Sequence, residues 1–149
     1  MKFIFICIKI IFLYFISFSS SYSIEAPNIK NLIIYEEKQK IKFFDFLNEA
    51  GNKVNLKDFK SELIILNFWA TWCAPCKKEM PSLDKLSIDK KFKNLEILPI
   101  NIGQEKINKI KEFYIKTNIE NLDIFYDTDV RLAKKFLLRG LPTTLIINN

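Results

Sequence analysis

Two cysteines with two residues between them, Cys73-Ala74-Pro75-Cys76, are the residues in this chain best placed to do chemistry. An apolar run from Leu63 to Phe68 precedes them and reads as a buried strand; a helical pattern follows. The pair therefore sits where a strand hands over to a helix N-terminus. The first amides of a helix have no intrahelical partner, and the aligned peptide dipoles favour negative charge there. A thiolate at Cys73 would be stabilised and its pKa lowered, as a nucleophilic cysteine requires. Cys76 falls one turn further in, close enough to attack a mixed disulfide formed at Cys73. Pro75 suits the first helical turn, where its missing N–H costs little.

The same pair could instead be buried core or half of a metal site. Structural zinc takes four Cys or His ligands. This chain offers three cysteines and no histidine, and Cys7 lies in a segment expected to be removed, so a lone pair could hold metal only between chains. The absence of histidine also excludes Ser-His and Cys-His catalysis and a C-x-x-C-H haem attachment. Three glycines do not supply a phosphate-cradling loop. Of the net charge of +6, two charges are Lys2 and Lys9 of the N-terminal segment; the remaining +4 comes from basic residues scattered among acidic ones, a solvated surface rather than a nucleic-acid footprint. With 149 residues, 49% of them hydrophobic, the chain is long enough for one globular domain with a real core.

The elements that must position the cysteines can be taken in chain order. Residues 1–23 read as an export segment: Lys2, an apolar stretch from Phe3 to Phe18 broken by Lys9, then small residues ending in Ser21-Tyr22-Ser23. Cleavage before Ile24 is expected, with a retained membrane anchor as the alternative; the unbroken apolar run from Ile10 to Phe18 is short of the ~20 residues that span a bilayer. Either outcome places the domain in an extracytoplasmic space, where disulfides persist. Residues 24–40 are polar and read as a linker, and a single domain is expected over residues 41–149. Lys42 to Leu47 and Val54 to Leu56 form a hairpin whose Gly51-Asn52 can take positive φ. Asp58 to Ser61 reads as a helical turn. The helix from Pro75 to Asp89 carries Met80, Leu83 and Leu86 inward, with Lys77, Lys78, Asp84 and Lys85 on its wet face and Pro81 interrupting it. A strand from Leu95 to Ile102, an amphipathic helix from Glu105 to Thr117, a short strand from Asp123 to Tyr126, a helix from Val130 to Phe136 capped by Asp127-Thr128-Asp129, and a strand from Thr143 to Ile147 complete the pattern. Strands alternating with helices imply an α/β fold with parallel βαβ units.

The block Asn67-Phe68-Trp69-Ala70-Thr71-Trp72-Cys73-Ala74-Pro75-Cys76-Lys77-Lys78-Glu79-Met80-Pro81 resembles the active-site block of TlpA-like, thioredoxin-fold thiol:disulfide oxidoreductases. Gly140-Leu141-Pro142-Thr143-Thr144, about 65 residues further on, is similar to the same family's second signature. The resemblance implies a thioredoxin-like fold, a central mixed sheet with helices on both faces. It implies Cys73 as attacking thiolate, Cys76 as resolving thiol, Pro142 as a cis-proline, and substrate contacts at Trp72, Ala74, Pro75, Leu141 and Pro142. Trp69 and Trp72 would flank the site, core packing being the other reading of each. Cytosolic thioredoxins carry a buried aspartate at the position of Asn67; asparagine cannot accept a proton there, and Glu79 matches a glutamate that the TlpA-like branch keeps. The redox centre would be the Cys73–Cys76 disulfide itself, with no bound cofactor and no metal. Partners would be protein thiols and disulfides, and an upstream membrane electron donor. A reductant for apocytochrome or metal-site cysteines is the activity implied. A thioredoxin-like binding module carrying copper or haem is the competing class; a peroxidase of related fold is a third. The family's sheet continues past the Thr143 strand into a further strand and a final helix, so a chain stopping at Asn149 would leave an edge and part of an apolar face bare.

Overall fold

A computed structural model describes residues 41–148, together with Ile33 and Glu37. The expected export segment therefore lies outside the described residues, as does the linker apart from those two positions. No helix among the described residues is long and apolar enough to cross a membrane.

Six strands form one mixed sheet in the order β2-β1-β5-β4-β3-β6. They are β1 (Asp45–Asn48), β2 (Lys53–Asn55), β3 (Leu63–Trp69), β4 (Leu95–Asn101), β5 (Phe125–Tyr126) and β6 (Thr143–Asn148). Three α-helices join them: α1 (Ala74–Ser87), α2 (Ile107–Thr117) and α3 (Arg131–Lys135). The β3-α1-β4 and β4-α2-β5 units are parallel, as the strand–helix alternation implies, while β6 runs antiparallel to β3 and β1 antiparallel to β5.

Strand β3 is the spine. It is apolar except for Asn67, because both of its faces are covered. Ile65 and Trp69 point to one side, where they meet Cys76 and Met80 of α1 and Ile110, Phe113 and Tyr114 of α2. Ile64, Leu66 and Phe68 point to the other, against Phe44, Phe46 and Leu56 of the hairpin region and Leu132 of α3. The helices thus lie on both faces of the sheet.

The hairpin turn is built by Asn48, whose side-chain oxygen accepts the N–H groups of Ala50 and Asn52 at 3.1 and 2.9 Å. Gly51 alone takes the left-handed conformation in this turn, at φ +82°; Asn52 does not share it. The helical turn expected at Asp58 to Ser61 falls earlier, at Leu56–Asp58, because Asn55 and Asp58 form a reciprocal cap there. Asp127 does serve the last helix: it is buried, and its carboxylate accepts the Leu132 N–H at 2.9 Å and pairs with Arg131 at 3.2 Å.

One expectation for α1 is wrong. Asp84 does not lie on the wet face but is 5% exposed. One of its oxygens accepts the backbone N–H groups of Glu120, Asn121 and Leu122 at 2.7–3.1 Å, and the other accepts the Asn121 side-chain amide at 2.8 Å. The carboxylate ties α1 to the segment that leads from α2 into β5. A polar side chain at this helical position looks solvated until the segment that covers it is in place.

Candidate active site

Strand β3 ends at Trp69, and the chain turns at once: the Cys73 N–H donates to the Ala70 carbonyl at 3.1 Å. Cys73 is then the N-cap of α1, at φ −78° and ψ 109°. Its sulfur accepts the Cys76 N–H at 3.2 Å, satisfying one of the amides that a helix start leaves unpaired. Pro75 occupies the first turn, where no N–H is needed. Cys73 and Cys76 are joined by a disulfide, with S–S 2.06 Å and Cα–Cα 5.3 Å.

Exposure is graded across the motif. Trp72 is 63% exposed, and Ala74 and Pro75 are also open to solvent. Cys73 is 5% exposed and Cys76 is fully buried. The outer sulfur thus sits at the edge of an exposed apolar rim, and the inner one lies behind it in the core. The first turn of α1 has no acidic residue to oppose a thiolate, and Lys77 and Lys78 follow it.

The antiparallel register of β6 on β3, with Thr143 opposite Phe68 and Thr144 opposite Asn67, brings Gly140-Leu141-Pro142 toward the end of β3 from which the cysteine turn departs. The two sequence blocks are thereby made neighbours. The Leu141–Pro142 bond is cis, the isomer that the resemblance implies. Leu141 is half-buried and packs against the core clusters on both faces.

Asn67 links these parts. It is fully buried on the α1 side of β3, and its side-chain nitrogen donates to Glu79 at 2.6 Å and to the Thr144 hydroxyl at 3.1 Å. Among the described residues its own amide oxygen has no partner. Glu79 is therefore half-buried and directed at the sheet rather than paired with a lysine in solvent. The two tryptophans separate. Trp69 is fully buried against the rings of Phe113 and Tyr114, at 4.8 and 5.9 Å between centroids, whereas Trp72 is the exposed one.

A second carboxylate stands close to the motif without any sequence signal. Glu105, whose side chain is 4% exposed, accepts the Thr71 N–H at 2.8 Å, the Thr71 hydroxyl, and the Asn101 amide at 3.1 Å, and it pairs with Lys109 at 2.7 Å. Burial alone would raise its pKa. The Lys109 ammonium, the two Thr71 donors and Asn101 together outweigh burial and hold the carboxyl below its ordinary value. Acidic residues before an amphipathic helix are commonplace, so nothing local marks this one.

Among the described residues no group of three or more His, Cys, Asp or Glu side chains could hold a metal ion. An open groove of about 580 Å³, lined by Asn48, Val54, Phe59, Lys111 and Phe125 among others, is on the hairpin side and includes none of the dithiol residues.

Comparison with known proteins bears on the family and the fold. Thiol-disulfide oxidoreductase ResA of Bacillus subtilis (strain 168) is 36% identical over 98 residues, which cover 66% of this chain and 54% of that protein. The chain spans about half the length of the curated relatives it matches. StoA from Bacillus subtilis superposes with a TM-score of 0.60 at 22% identity, covering 72% of this chain and 80% of that one. The pneumococcal exposed lipoprotein thioredoxin Etrx1 of Streptococcus pneumoniae gives 0.60 at 23% identity, covering 72% and 82%. At those identities the structural likeness shows a shared thioredoxin-like fold. The family described as AhpC/TSA matches residues 38–149, and the chain belongs to that family.

Proposed function

We propose that this protein is a thiol:disulfide oxidoreductase that exchanges disulfides with protein substrates outside the cytoplasm. The observation that carries the reading is the seating of the pair: Cys73 at the N-cap of α1, its sulfur receiving the Cys76 N–H and bonded to the buried Cys76. In the reduced protein the Cys73 thiolate attacks one sulfur of a substrate disulfide. That S–S bond breaks, one substrate thiolate leaves, and a mixed disulfide forms at Cys73. Cys76 then loses its proton and attacks the Cys73 sulfur; the bond from Cys73 to the substrate breaks, the second substrate sulfur leaves as a thiolate, and the Cys73–Cys76 disulfide closes. Two electrons pass to the substrate. Glu79, one helical turn beyond Cys76 and aimed inward by Asn67, is the acceptor for the Cys76 proton. Trp72, Ala74 and Pro75 form the exposed rim that a substrate segment meets, with Leu141 and Pro142 on its other side.

The direction we favour is reduction of client cysteines, of the kind needed for cytochrome c maturation or metal-site assembly, with re-reduction by a membrane electron donor. The similarity to ResA and the export-type pattern of residues 1–23 support this. Purified protein with dithiothreitol as reductant is expected to reduce insulin disulfides. Cys73→Ser should abolish this and Cys76→Ser should accumulate the mixed disulfide. A potential toward that of thioredoxin, roughly −270 mV, fits a reductant, and a value of about −120 mV would reverse the direction while leaving exchange intact. Stoichiometric uptake of copper or haem with no disulfide turnover would replace this reading with that of a binding module.

A further inference from the structure

We infer that Glu105 is a positioning residue for the thiol site: its buried carboxylate locks the turn Ala70-Thr71-Trp72-Cys73 and so fixes Cys73 on the axis of α1. The inference deepens the proposed exchange activity and rests on Cys73 being its nucleophile.

Three buried carboxylates stand out in the described residues. Two of them are spent on scaffold N–H groups: Asp84 holds Glu120 to Leu122, and Asp127 holds Leu132. Glu105 differs in what it grips. Two of its four donors belong to one residue, Thr71, which lies two positions before Cys73 and is itself buried. Thr71 is the second residue of the turn closed by the Cys73 N–H on Ala70. Holding both its backbone N–H and its hydroxyl removes the rotation by which that turn could open. The remaining donors, buried Asn101 at the end of β4 and the more exposed Lys109 in α2, tie the carboxylate to those two elements. Gly103 makes room for this clasp: a Cβ there would come within 2.8 Å of a Glu105 oxygen and 3.0 Å of the Ala70 Cβ. A buried carboxylate is costly unless it is paired and hydrogen-bonded, and this one has four donors.

Position and charge act in opposite directions at Cys73, which makes the inference testable. A negative Glu105 near a thiolate would raise the thiol pKa, so if only its charge mattered, its removal would lower that pKa. If the clasp matters, loosening the turn takes Cys73 off the helix terminus and raises its pKa toward the ordinary cysteine value.

The experiment is the pH profile of iodoacetamide alkylation of Cys73 in the reduced protein, compared among wild type, Glu105→Gln, Thr71→Val, Thr71→Ser and Gly103→Ala. Glu105→Gln keeps the shape but loses acceptors. Thr71→Val removes only the hydroxyl bond and leaves every charge in place. Glu105→Gln, Thr71→Val and Gly103→Ala are each expected to move the Cys73 profile upward, with alkylation near neutral pH slowed by roughly tenfold per pKa unit gained. Thr71→Ser is expected to retain the wild-type profile. Should Thr71→Val fold with an unchanged or lowered Cys73 pKa, the clasp is scaffold only and the inference falls. Alkylation needs no protein substrate, so an absence of disulfide exchange by the wild type would count against the proposed function without touching this result.

Discussion

The Asn67 amide nitrogen lies 2.6 Å from a Glu79 carboxylate oxygen, so the central strand, not solvent, sets where this helix glutamate points. Glu79→Gln should preserve that bond, because the glutamine oxygen can still accept from Asn67, while removing the proton acceptor. The expected outcome is stability within about 0.5 kcal/mol of wild type, a shifted pH profile for Cys76 alkylation, and disulfide exchange slowed by roughly 10²-fold. Superimposable alkylation profiles for the two proteins would remove Glu79 from the mechanism.

The two tryptophans should respond in opposite ways. Trp69 is fully buried and its indole N–H has no acceptor among the described residues. Trp69→Phe therefore loses packing but also discards an unsatisfied donor, for a net cost of about 1–2 kcal/mol in urea unfolding. Trp72→Ala, at a site 63% exposed, should leave stability within about 0.5 kcal/mol. It should slow exchange with a protein disulfide while leaving reaction with a small alkylating reagent unchanged. Equal effects on both substrates would show that Trp72 does not form part of a docking rim.

Asp84 is the lock between α1 and the approach to β5. Asp84→Ala leaves three backbone N–H groups without their acceptor, one of them buried, and should cost about 3 kcal/mol or more. Asp84→Asn retains one acceptor oxygen but sets an amide against the Asn121 amide, and should fall between. Denaturant midpoints of the oxidised proteins give the order; an alanine variant as stable as wild type would contradict it.

Tyr114 gives the fold a sensitivity to base. Its hydroxyl donates to the Asp123 carbonyl at 3.1 Å. Burial foremost, and then the negative charges of Asp123 and Asp84, push the phenol above its usual range. An acid whose folded pKa is raised stabilises the fold only while the unfolded chain also keeps its proton. The contribution is complete below about pH 10 and shrinks as pH rises beyond it. Wild type should lose stability more steeply than Tyr114→Phe between about pH 9 and 11. Parallel stability curves over that interval would rule the effect out.

Much of this architecture is legible in local sequence because it rests on local physics. A short, nearly unbroken apolar run reads as a strand covered on both faces, and Leu63–Trp69 is that strand. Met80, Leu83 and Leu86 recur at helical spacing, and all three pack against the core. The cysteines at the strand-to-helix junction, with proline in the first turn, follow from the chemistry of helix starts.

What could not be read are the polar groups whose meaning depends on a distant partner. Asp84 has the same sequence signature as a solvated helix aspartate; its burial is created by residues 36 to 38 positions away. Glu105 meets Thr71 across 34 positions, and Asn67 meets Thr144 across 77. Periodicity reports which way a side chain faces relative to its own element, and only through apolar repetition. Sequence by itself determined the dithiol, the helix end that would activate it and the strands that carry it. Which carboxylates are drawn inward was decided by tertiary packing, because a charge is buried only where the folded chain assembles enough donors around it.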